Sequence, residues 1–260
     1  MSKTALITGA SSGIGLELAK IFARDKYNLV LVARSADKLN ELATELRKEN
    51  ISVDVIVFDL SLPNAARDLF NAVQQKNISI DFLINNAGFG DFGFFIEADW
   101  KKTERMISVN IMTLTHLTRL FLPSMVKNGY GRVLNMSSTA AFQPGPLMSV
   151  YYATKAYVLH FSEAIGNELK DTGVKVTALC PGATESGFQA ASNMEESRLV
   201  KGRKLPTSKE VAEFGYKAMM KGKAVAIPGM FNYLLAQSPR FTPRALVVKV
   251  ARMIQEKTKG

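Results

Sequence analysis

The sequence predicts an α/β fold that is doubly wound, with a parallel sheet of about seven strands flanked by helices on both faces. Short apolar runs alternate with longer stretches in which apolar residues recur at helical spacing, which is the pattern of parallel βαβ units. The apolar runs are almost continuous in Val, Ile and Leu, as strands covered on both faces require. We predict one domain over residues 1–260, because no linker, repeat or low-complexity segment interrupts the alternation.

The first part of the chain is predicted to form three strand–helix pairs. Each strand is a short apolar run, and each helix repeats apolar residues every three or four positions between polar ones. In order, the predicted elements are a strand at Thr4–Thr8, a helix at Gly13–Arg24, a strand at Asn28–Ala33, a helix at Ser35–Glu49, a strand at Val53–Phe58 and a helix at Asn64–Gln75.

The second part continues the alternation with longer helices. Strands are predicted at Phe82–Ile84, Gly131–Met136, Lys175–Leu179 and Val225–Ile227, and helices at Trp100–Val126 and Ala153–Lys170. Residues 185–206 are polar and poorly periodic, and we interpret them as a substrate lid, with a surface excursion as the alternative. Ligands of such folds bind at the carboxyl ends of the strands, so the residues that follow each strand are the candidate site.

A glycine-rich turn joins the first predicted strand to the first helix. Gly9 permits a tight turn off the strand, and Gly13 lets the backbone approach a pyrophosphate at the helix N-terminus. Gly15 permits close packing of the helix on the strand. A plain strand-to-helix turn is the alternative, but the position between the first strand and first helix favours a dinucleotide site. The spacing is Gly-x-x-x-Gly-x-Gly.

Polar and small residues follow the other predicted strands. Asp59 follows the third strand and can accept a hydrogen bond from an adenine amino group, and Asn85–Gly88 follows the fourth. Asn110 lies inside a predicted helix, where Asn is unfavourable, which indicates a functional or structural role. Ser138 ends the fifth strand, and Tyr151 and Lys155 share one helical face.

Taken together, these segments resemble the short-chain dehydrogenase/reductase family, in its single-domain, NADP-preferring type. The resemblance covers essentially the first 190 residues, from the glycine turn to Pro181–Ser186, and includes the 13-residue interval between Ser138 and Tyr151. It implies a Rossmann fold and NADP(H) as cofactor. The cofactor-binding residues it implies are Gly9, Ser11, Ser12, Gly13, Ile14, Gly15, Arg34, Asp59, Leu60, Asn85, Ala87, Gly88, Tyr151, Lys155, Pro181, Gly182, Thr184 and Ser186.

The same resemblance implies a catalytic set of Asn110, Ser138, Tyr151 and Lys155. Tyr151 would donate a proton to a carbonyl oxygen during reduction, and we expect the Lys155 cation to lower its pKa. Ser138 would stabilise the developing alkoxide, and Asn110 would position a water behind Lys155. Tyr152 is the competing candidate, but only Tyr151 stands four residues before Lys155.

The end of the second predicted strand indicates the cofactor preference. NAD-preferring relatives carry an acidic residue there for the ribose 2′-hydroxyl, whereas this chain has Ala33. Arg34 follows and can hold a 2′-phosphate with its planar guanidinium, and Ser11 or Ser12 can add a hydroxyl. The alternative is that Arg34 only begins the next helix. We therefore predict NADP(H) rather than NAD(H).

We predict an NADPH-dependent oxidoreductase that reduces a ketone or aldehyde. The alternatives are a 3-oxoacyl-carrier-protein reductase, an NADP-dependent alcohol dehydrogenase and, outside enzymes, an NADP(H)-sensing scaffold protein. Large apolar side chains near the predicted cleft indicate a small-molecule carbonyl substrate with an apolar part, although several could instead fill the core or a subunit contact. These side chains are Phe89, Phe92, Phe94, Phe95, Phe142, Met148 and Phe188.

The formal charge of +10 comes entirely from the end of the chain. Residues 1–200 contain 20 basic and 20 acidic residues, whereas residues 201–260 contain 13 basic and 3 acidic residues. Within a basic C-terminal extension, residues 221–260, the stretch 243–257 predicts an amphipathic helix. We favour its packing on the domain or on a second subunit. Weak contact with an anionic membrane surface or with an acidic partner such as an acyl carrier protein is the alternative.

The remaining expectations concern compartment and partners. The single cysteine, Cys180, cannot form an internal disulfide, and no apolar run is long enough to cross a membrane, so we expect a cytoplasmic protein. No nucleic acid partner is expected, because no recognition-helix pattern accompanies the charge. No His, Cys and carboxylate cluster indicates a metal. By resemblance, we expect a homo-oligomer, either a dimer or a tetramer.

Overall fold

The computed structural model of the chain describes residues 2–192, 194, 197, 202 and 204–256. Seven parallel strands form one sheet in the order β3-β2-β1-β4-β5-β6-β7, which confirms the predicted doubly wound fold. The strands are β1 Thr4–Thr8, β2 Asn28–Ala33, β3 Val53–Val57, β4 Phe82–Asn85, β5 Gly131–Met136, β6 Val174–Leu179 and β7 Val225–Ala226. The strand order reverses between β1 and β4, which is where such folds bind ligands.

Ten α-helices connect these strands or follow them in the described residues. They are α1 Gly13–Arg24, α2 Ala36–Leu46, α3 Ala65–Gln75, α4 Trp100–Ile107, α5 Leu114–Lys127, α6 Ser149–Glu168, α7 Phe188–Ala191, α8 Ser208–Met220, α9 Met230–Gln237 and α10 Arg244–Gln255. Within the described residues, none of them combines the length and hydropathy needed to cross a bilayer.

Two apolar layers cover the two faces of the sheet. One face packs against α1, α2 and α8, with Phe22, Leu39 and Met219 fully or almost fully buried. The other packs against α3 and α5, around Leu69 and Phe121. The continuous apolar strands are thus explained, because both of their faces are buried.

The predicted helix at residues 100–126 is not continuous. It begins as α4, passes through one π-helical segment at Ser108–Thr113 and continues as α5. π-Helical turns are rare and are frequently found at functional sites. Asn110 lies inside this segment, so the residue that was unfavourable for a regular helix stands where the helix is irregular.

The predicted lid and the end of the basic extension lie partly outside the described residues. Of residues 185–206, positions 193, 195, 196, 198–201 and 203 are not described, and of residues 221–260 the last four are not described. The described part of the predicted lid contains α7, and its first residue, Glu185, forms a bridge with Thr207.

Candidate active site

A cavity of about 930 Å³ lies at the carboxyl edge of the sheet. The segments after β1 to β6 each contribute to its wall, so residues far apart in sequence meet there. Of the predicted site residues, the cavity is lined by Gly9, Ser11, Ser12, Gly13, Ile14, Arg34, Asp59, Leu60, Ala87, Gly88, Ser138, Tyr151, Lys155, Pro181, Gly182, Thr184 and Ser186. Gly15, Asn85 and Asn110 are not among its lining residues.

The glycine turn at the start of α1 has the backbone that its sequence requires. Gly9 and Gly13 have φ values of +67° and +58°, a backbone conformation that residues with a side chain rarely adopt. A side chain at Gly15 would collide with the Gly9 carbonyl, so α1 packs closely on the loop. Ser12 makes no side-chain cap at the helix N-terminus. The first-turn N–H groups are therefore not capped by that hydroxyl, an arrangement that suits an anionic ligand.

Asn86 holds this turn in place, although the sequence reasoning did not single it out. Its Nδ2 donates to the carbonyls of Thr8 and Gly9 at 3.0 and 3.2 Å. The Thr8 hydroxyl oxygen in turn accepts from the N–H groups of Asn86 and Ala87, both at 3.0 Å. The loops after β1 and β4 are thereby fixed to each other on either side of the strand-order reversal.

Asn85 lies in the interior rather than at the cavity. Its Nδ2 donates to the Thr118 hydroxyl at 3.0 Å and to Asn135 Oδ1 at 2.9 Å. Asn135 then donates to the Ser162 hydroxyl at 2.9 Å. Asn85 therefore ties β4 to β5 and α5, and it does not line the cavity where the cofactor was expected to bind.

Asp59 is paired with an arginine that the sequence reasoning did not identify. Arg105, on α4, donates to Asp59 Oδ2 at 3.0 Å and to the Ser61 hydroxyl at 3.0 Å. Burial alone would raise the pKa of Asp59, but hydrogen bonds from Ser61 and the charges of Arg105 and Arg34 hold it below its ordinary value. Arg34 is exposed and lines the same end of the cavity, so two guanidinium groups flank one carboxylate there.

Ser138, Tyr151 and Lys155 come together at the cavity. The Ser138 hydroxyl donates to the Pro181 carbonyl at 3.3 Å and accepts from the Ala140 N–H at 3.1 Å. Lys155 Nζ donates to the Met136 carbonyl at 2.7 Å and lies 5.6 Å from the centre of the Tyr151 ring. Both Tyr151 and Lys155 are buried. Helix α6 begins at Ser149, so Tyr151 belongs to its first turn.

Burial sets the direction of both pKa shifts in this group. It raises the pKa of Tyr151, and the neighbouring Ser138 hydroxyl only partly opposes the change. Burial also lowers the pKa of Lys155 to about 8. The pKa of Tyr151 therefore lies above its ordinary value, because burying a phenolate is costly and the Ser138 hydrogen bond offsets only part of that cost. At neutral pH the site presents a neutral phenol and an ammonium group.

Asn110 supports the cavity wall from behind. Its Oδ1 accepts from the Phe89 N–H at 3.2 Å, and its Nδ2 donates to the Phe89 carbonyl at 3.0 Å and the Thr154 hydroxyl at 3.1 Å. The side chain is almost fully buried. Because a side chain at Gly88 would come within 2.9 Å of Asn110 Oδ1, the loop after β4 packs directly on it.

Replacing Asn110 with Ala is expected to lower stability, because it leaves the Phe89 N–H and carbonyl without partners. Two lost, partly buried hydrogen bonds correspond to about 2–4 kcal/mol of the free energy of unfolding. For a chain of this size we expect a fall in Tm of roughly 5–12 °C, measured by thermal denaturation. A large fall in activity with an unchanged Tm would contradict this supporting role.

The large apolar side chains predicted for the cleft divide between three locations. Phe89, Met148 and Phe188 line the main cavity, and the Phe188 ring lies 5.3 Å from that of Tyr151. Phe92, Phe94 and Phe95 line a neighbouring cavity of about 310 Å³. Phe142 is partly buried and packs against the core cluster that contains Leu159. The expectation of an apolar cleft therefore holds for the side chains that line the two cavities, and the alternative of packing against the core holds for Phe142.

The C-terminal helices form a wall of the main cavity that the sequence did not predict. Phe231 and Leu235 of α9 and Leu246, Val250 and Ile254 of α10 line it. Buried Val247 and Ala251 fix α10 against the rest of the chain. The predicted packing of the amphipathic helix on the domain is thus observed, and its apolar side faces the candidate site.

The sequence also matches known proteins over most of its length. A family model described as short chain dehydrogenase matches residues 3–197. The ketoacyl reductase HetN of Nostoc sp. is 32% identical over 218 residues, which cover 84% of this chain and 75% of that protein.

Two solved structures share the fold. A short-chain dehydrogenase from Sphingobium yanoikuyae in complex with NADPH has a TM-score of 0.82 and 32% identity, covering 92% of this chain and 94% of that one. The bulky-bulky ketone specific alcohol dehydrogenase from Comamonas testosteroni has a TM-score of 0.79 and 30% identity, covering 92% of each chain.

Proposed function

The chain belongs to the short chain dehydrogenase family, and from this premise we propose that it is an NADPH-dependent oxidoreductase that reduces a ketone or aldehyde to an alcohol. The observation that carries the proposal is the convergence of Ser138, Tyr151 and Lys155 on one cavity with the glycine turn of α1. The NADPH complex of the Sphingobium enzyme and the ketone specificity of the Comamonas enzyme support the cofactor and the reaction.

The residues around the cavity fit NADP(H). The backbone turn at Gly9 and Gly13, with its positive φ values, and the first turn of α1 form a cradle for a pyrophosphate. Side chains in this turn would obstruct the pyrophosphate. Arg34 and the hydroxyls of Ser11 and Ser12 would hold a 2′-phosphate, because β2 ends in Ala33 rather than in an acidic residue. Lys155 would hold ribose hydroxyls, with Gly88 beside it. Asn85 and Gly15 would support the site from behind.

The mechanism assigns one task to each polar side chain. NADPH, when bound, supplies the hydride for the carbonyl carbon. Tyr151 donates its phenolic proton to the carbonyl oxygen, for which its raised pKa keeps it protonated at neutral pH. Ser138 donates a hydrogen bond to the same oxygen and stabilises the developing charge. The Lys155 ammonium stabilises the tyrosinate that remains.

The role of Asn110 is a positioning one in this proposal. Its amide holds the Phe89 backbone and Thr154, which lies one residue before Lys155 on α6. We also propose that Asn110 positions a relay water behind Lys155. Gly88 supports this proposal, because it lies next to both Asn110 and Lys155. Thermal denaturation of Asn110→Ala measures its contribution to stability, separately from any effect of the variant on activity.

Activity is expected to fall above about pH 8, with Lys155 as the cause. Burial disfavours its charged form, so the proton leaves as pH rises through about 8 rather than at the ordinary value of 10.5. The expected result is a loss of kcat/KM that approaches tenfold per pH unit on the alkaline side, measured between about pH 6 and about pH 10. Ser138→Ala should lower the whole profile without moving this limb. A limb that begins only above pH 10 would contradict the assignment.

Reduction of ketoacyl thioesters is a second candidate, favoured by the ketoacyl reductase relative and by the apolar wall that α9 and α10 add to the cavity. Initial rates of NADPH oxidation with free ketones and with carrier-linked ketoacyl thioesters distinguish the two substrate classes.

We propose a homo-oligomer built through α5 and α6, on which Val126 and Tyr157 are exposed. The buried free thiol of Cys180 supports a reducing cytoplasm as the compartment.

A further inference from the structure

The last two helices expose an unusual number of large apolar side chains. Among the described residues, 19 large apolar side chains are exposed, and ten of them lie between residues 230 and 253. Phe241 is 87% exposed, Met230 74% and Leu234 59%. Scattered exposed apolar residues need no explanation, but a concentration of this kind marks a contact surface.

Positive charge accompanies these side chains. Residues 214–255 contain seven Lys and Arg residues and no Asp or Glu. Arg240, Arg244 and Lys249 are exposed, and Lys249 stands directly before Val250 on α10. We call the α9–α10 face the surface formed by Met230, Phe231, Leu234, Phe241, Leu246 and Val250 together with these three basic residues.

The α9–α10 face continues into the cavity. Phe231, Leu235, Leu246 and Val250 are each exposed to solvent and also line the cavity wall. The rim of the cavity is therefore apolar on this side, and a molecule bound to the face would lie next to the way into the candidate site.

The positive charge of the α9–α10 face favours an anionic bilayer over a second copy of the chain or an acidic carrier protein. In a two-fold contact between copies the same basic surface would meet itself, which is unfavourable without carboxylates to pair with. An acidic carrier protein would match the charge but would leave the exposed apolar side chains against a polar surface. Apolar side chains bordered by cations are complementary to the interface of a bilayer that contains anionic lipids.

We propose that the α9–α10 face lies on an anionic lipid surface and that an apolar carbonyl substrate passes from that surface into the cavity. The lipid contact stands on the exposed residues alone, whereas the passage of substrate rests on the proposed function.

Sedimentation with vesicles tests the lipid contact on the full chain without substrate. We expect binding to mixed phosphatidylglycerol and phosphatidylcholine vesicles, weakened by salt, and far less binding to phosphatidylcholine alone. Charge reversal in Arg240→Glu/Arg244→Glu/Lys249→Glu should lower the partition coefficient by at least about 100-fold, since loss of each basic group alone removes roughly a factor of five and the new carboxylates add repulsion.

A second variant separates the surface from the catalytic site. Leu234 and Phe241 are exposed but do not line the cavity. Leu234→Asp/Phe241→Asp should reduce vesicle binding by at least about tenfold and slow the reduction of a long-chain ketone held in vesicles. Its rate with a small polar ketone should equal that of the unmodified protein. Leu62→Asp, an exposed leucine after β3, is the matched control and should bind vesicles normally.

Three outcomes would overturn the proposal. One is absence of vesicle binding, and another is binding that neither variant changes. The third is that the unmodified protein is a dimer that does not bind vesicles and that Leu234→Asp/Phe241→Asp makes it a monomer in light scattering, which would assign the face to a second copy. Vesicle binding without any ketone reduction would leave the lipid contact intact and contradict only the proposed function.

Discussion

Replacing Tyr151 with Phe is expected to lower kcat/KM for ketone reduction by about 1,000-fold, the middle of the range for loss of a general acid. The change removes only the hydroxyl, so the ring keeps its contact with Phe188 and the burial that surrounds it. The fold should be unaffected, because the phenol does not support the backbone, and NADPH binding should weaken by no more than a few fold, because Lys155 and the glycine turn of α1 would still hold the cofactor. Stopped-flow NADPH oxidation and equilibrium NADPH binding measure the two quantities separately.

Tyr152 supplies the matched control for this experiment. It is the adjacent residue, lines the same cavity and is equally buried, and burial raises its pKa to about 12, with the Gln255 side chain opposing the shift. Tyr152→Phe removes the same hydroxyl one position away, where it faces α10 rather than Ser138. We expect kcat to stay within a few fold of the unmodified protein. Equal losses in the two variants would sink the assignment of Tyr151 as the proton donor.

The sequence predicted the catalytic edge because a parallel sheet collects the ends of its strands. Ser138 follows the end of β5 by two residues, and Tyr151 and Lys155 stand one turn apart on α6, so strand order and helical period alone bring them to one edge. The charge balance along the chain likewise pointed to the basic C-terminal extension before its position was known.

Contacts made only by tertiary packing could not be predicted in this way. Arg105 reaches Asp59 across 46 residues, and its partner depends on how α4 settles beside the loop after β3. The sequence predicted the apolar stripe of α10, but neighbouring residues in the sequence do not indicate that Leu246 and Val250 face the cavity. The direction of the Tyr151 pKa also depended on the balance of burial against charge, which needs distances that a sequence does not contain.

Arg34→Glu is expected to reverse the cofactor preference. Arg34 is exposed at the cavity and directly follows Ala33, which occupies the position where NAD-preferring relatives carry an acidic residue, so the substitution removes a guanidinium and places a carboxylate beside that position. Loss of a charge-assisted hydrogen bond contributes about 1.5–3 kcal/mol, and repulsion of the 2′-phosphate adds to it. We expect the ratio of kcat/KM for NADPH to that for NADH to fall by roughly 100- to 1,000-fold.

The control must carry the same change of charge without reaching the cofactor. Lys38 is exposed on α2 and is not among the cavity-lining residues, so Lys38→Glu alters the net charge equally. Its cofactor ratio should stay within about twofold of the unmodified protein at moderate salt, since exposed charges beyond a Debye length are screened. If Arg34→Glu weakened NADPH and NADH equally, Arg34 would only precede α2 without contacting the phosphate, and the phosphate contact would have to come from Arg105, the other guanidinium at that end of the cavity.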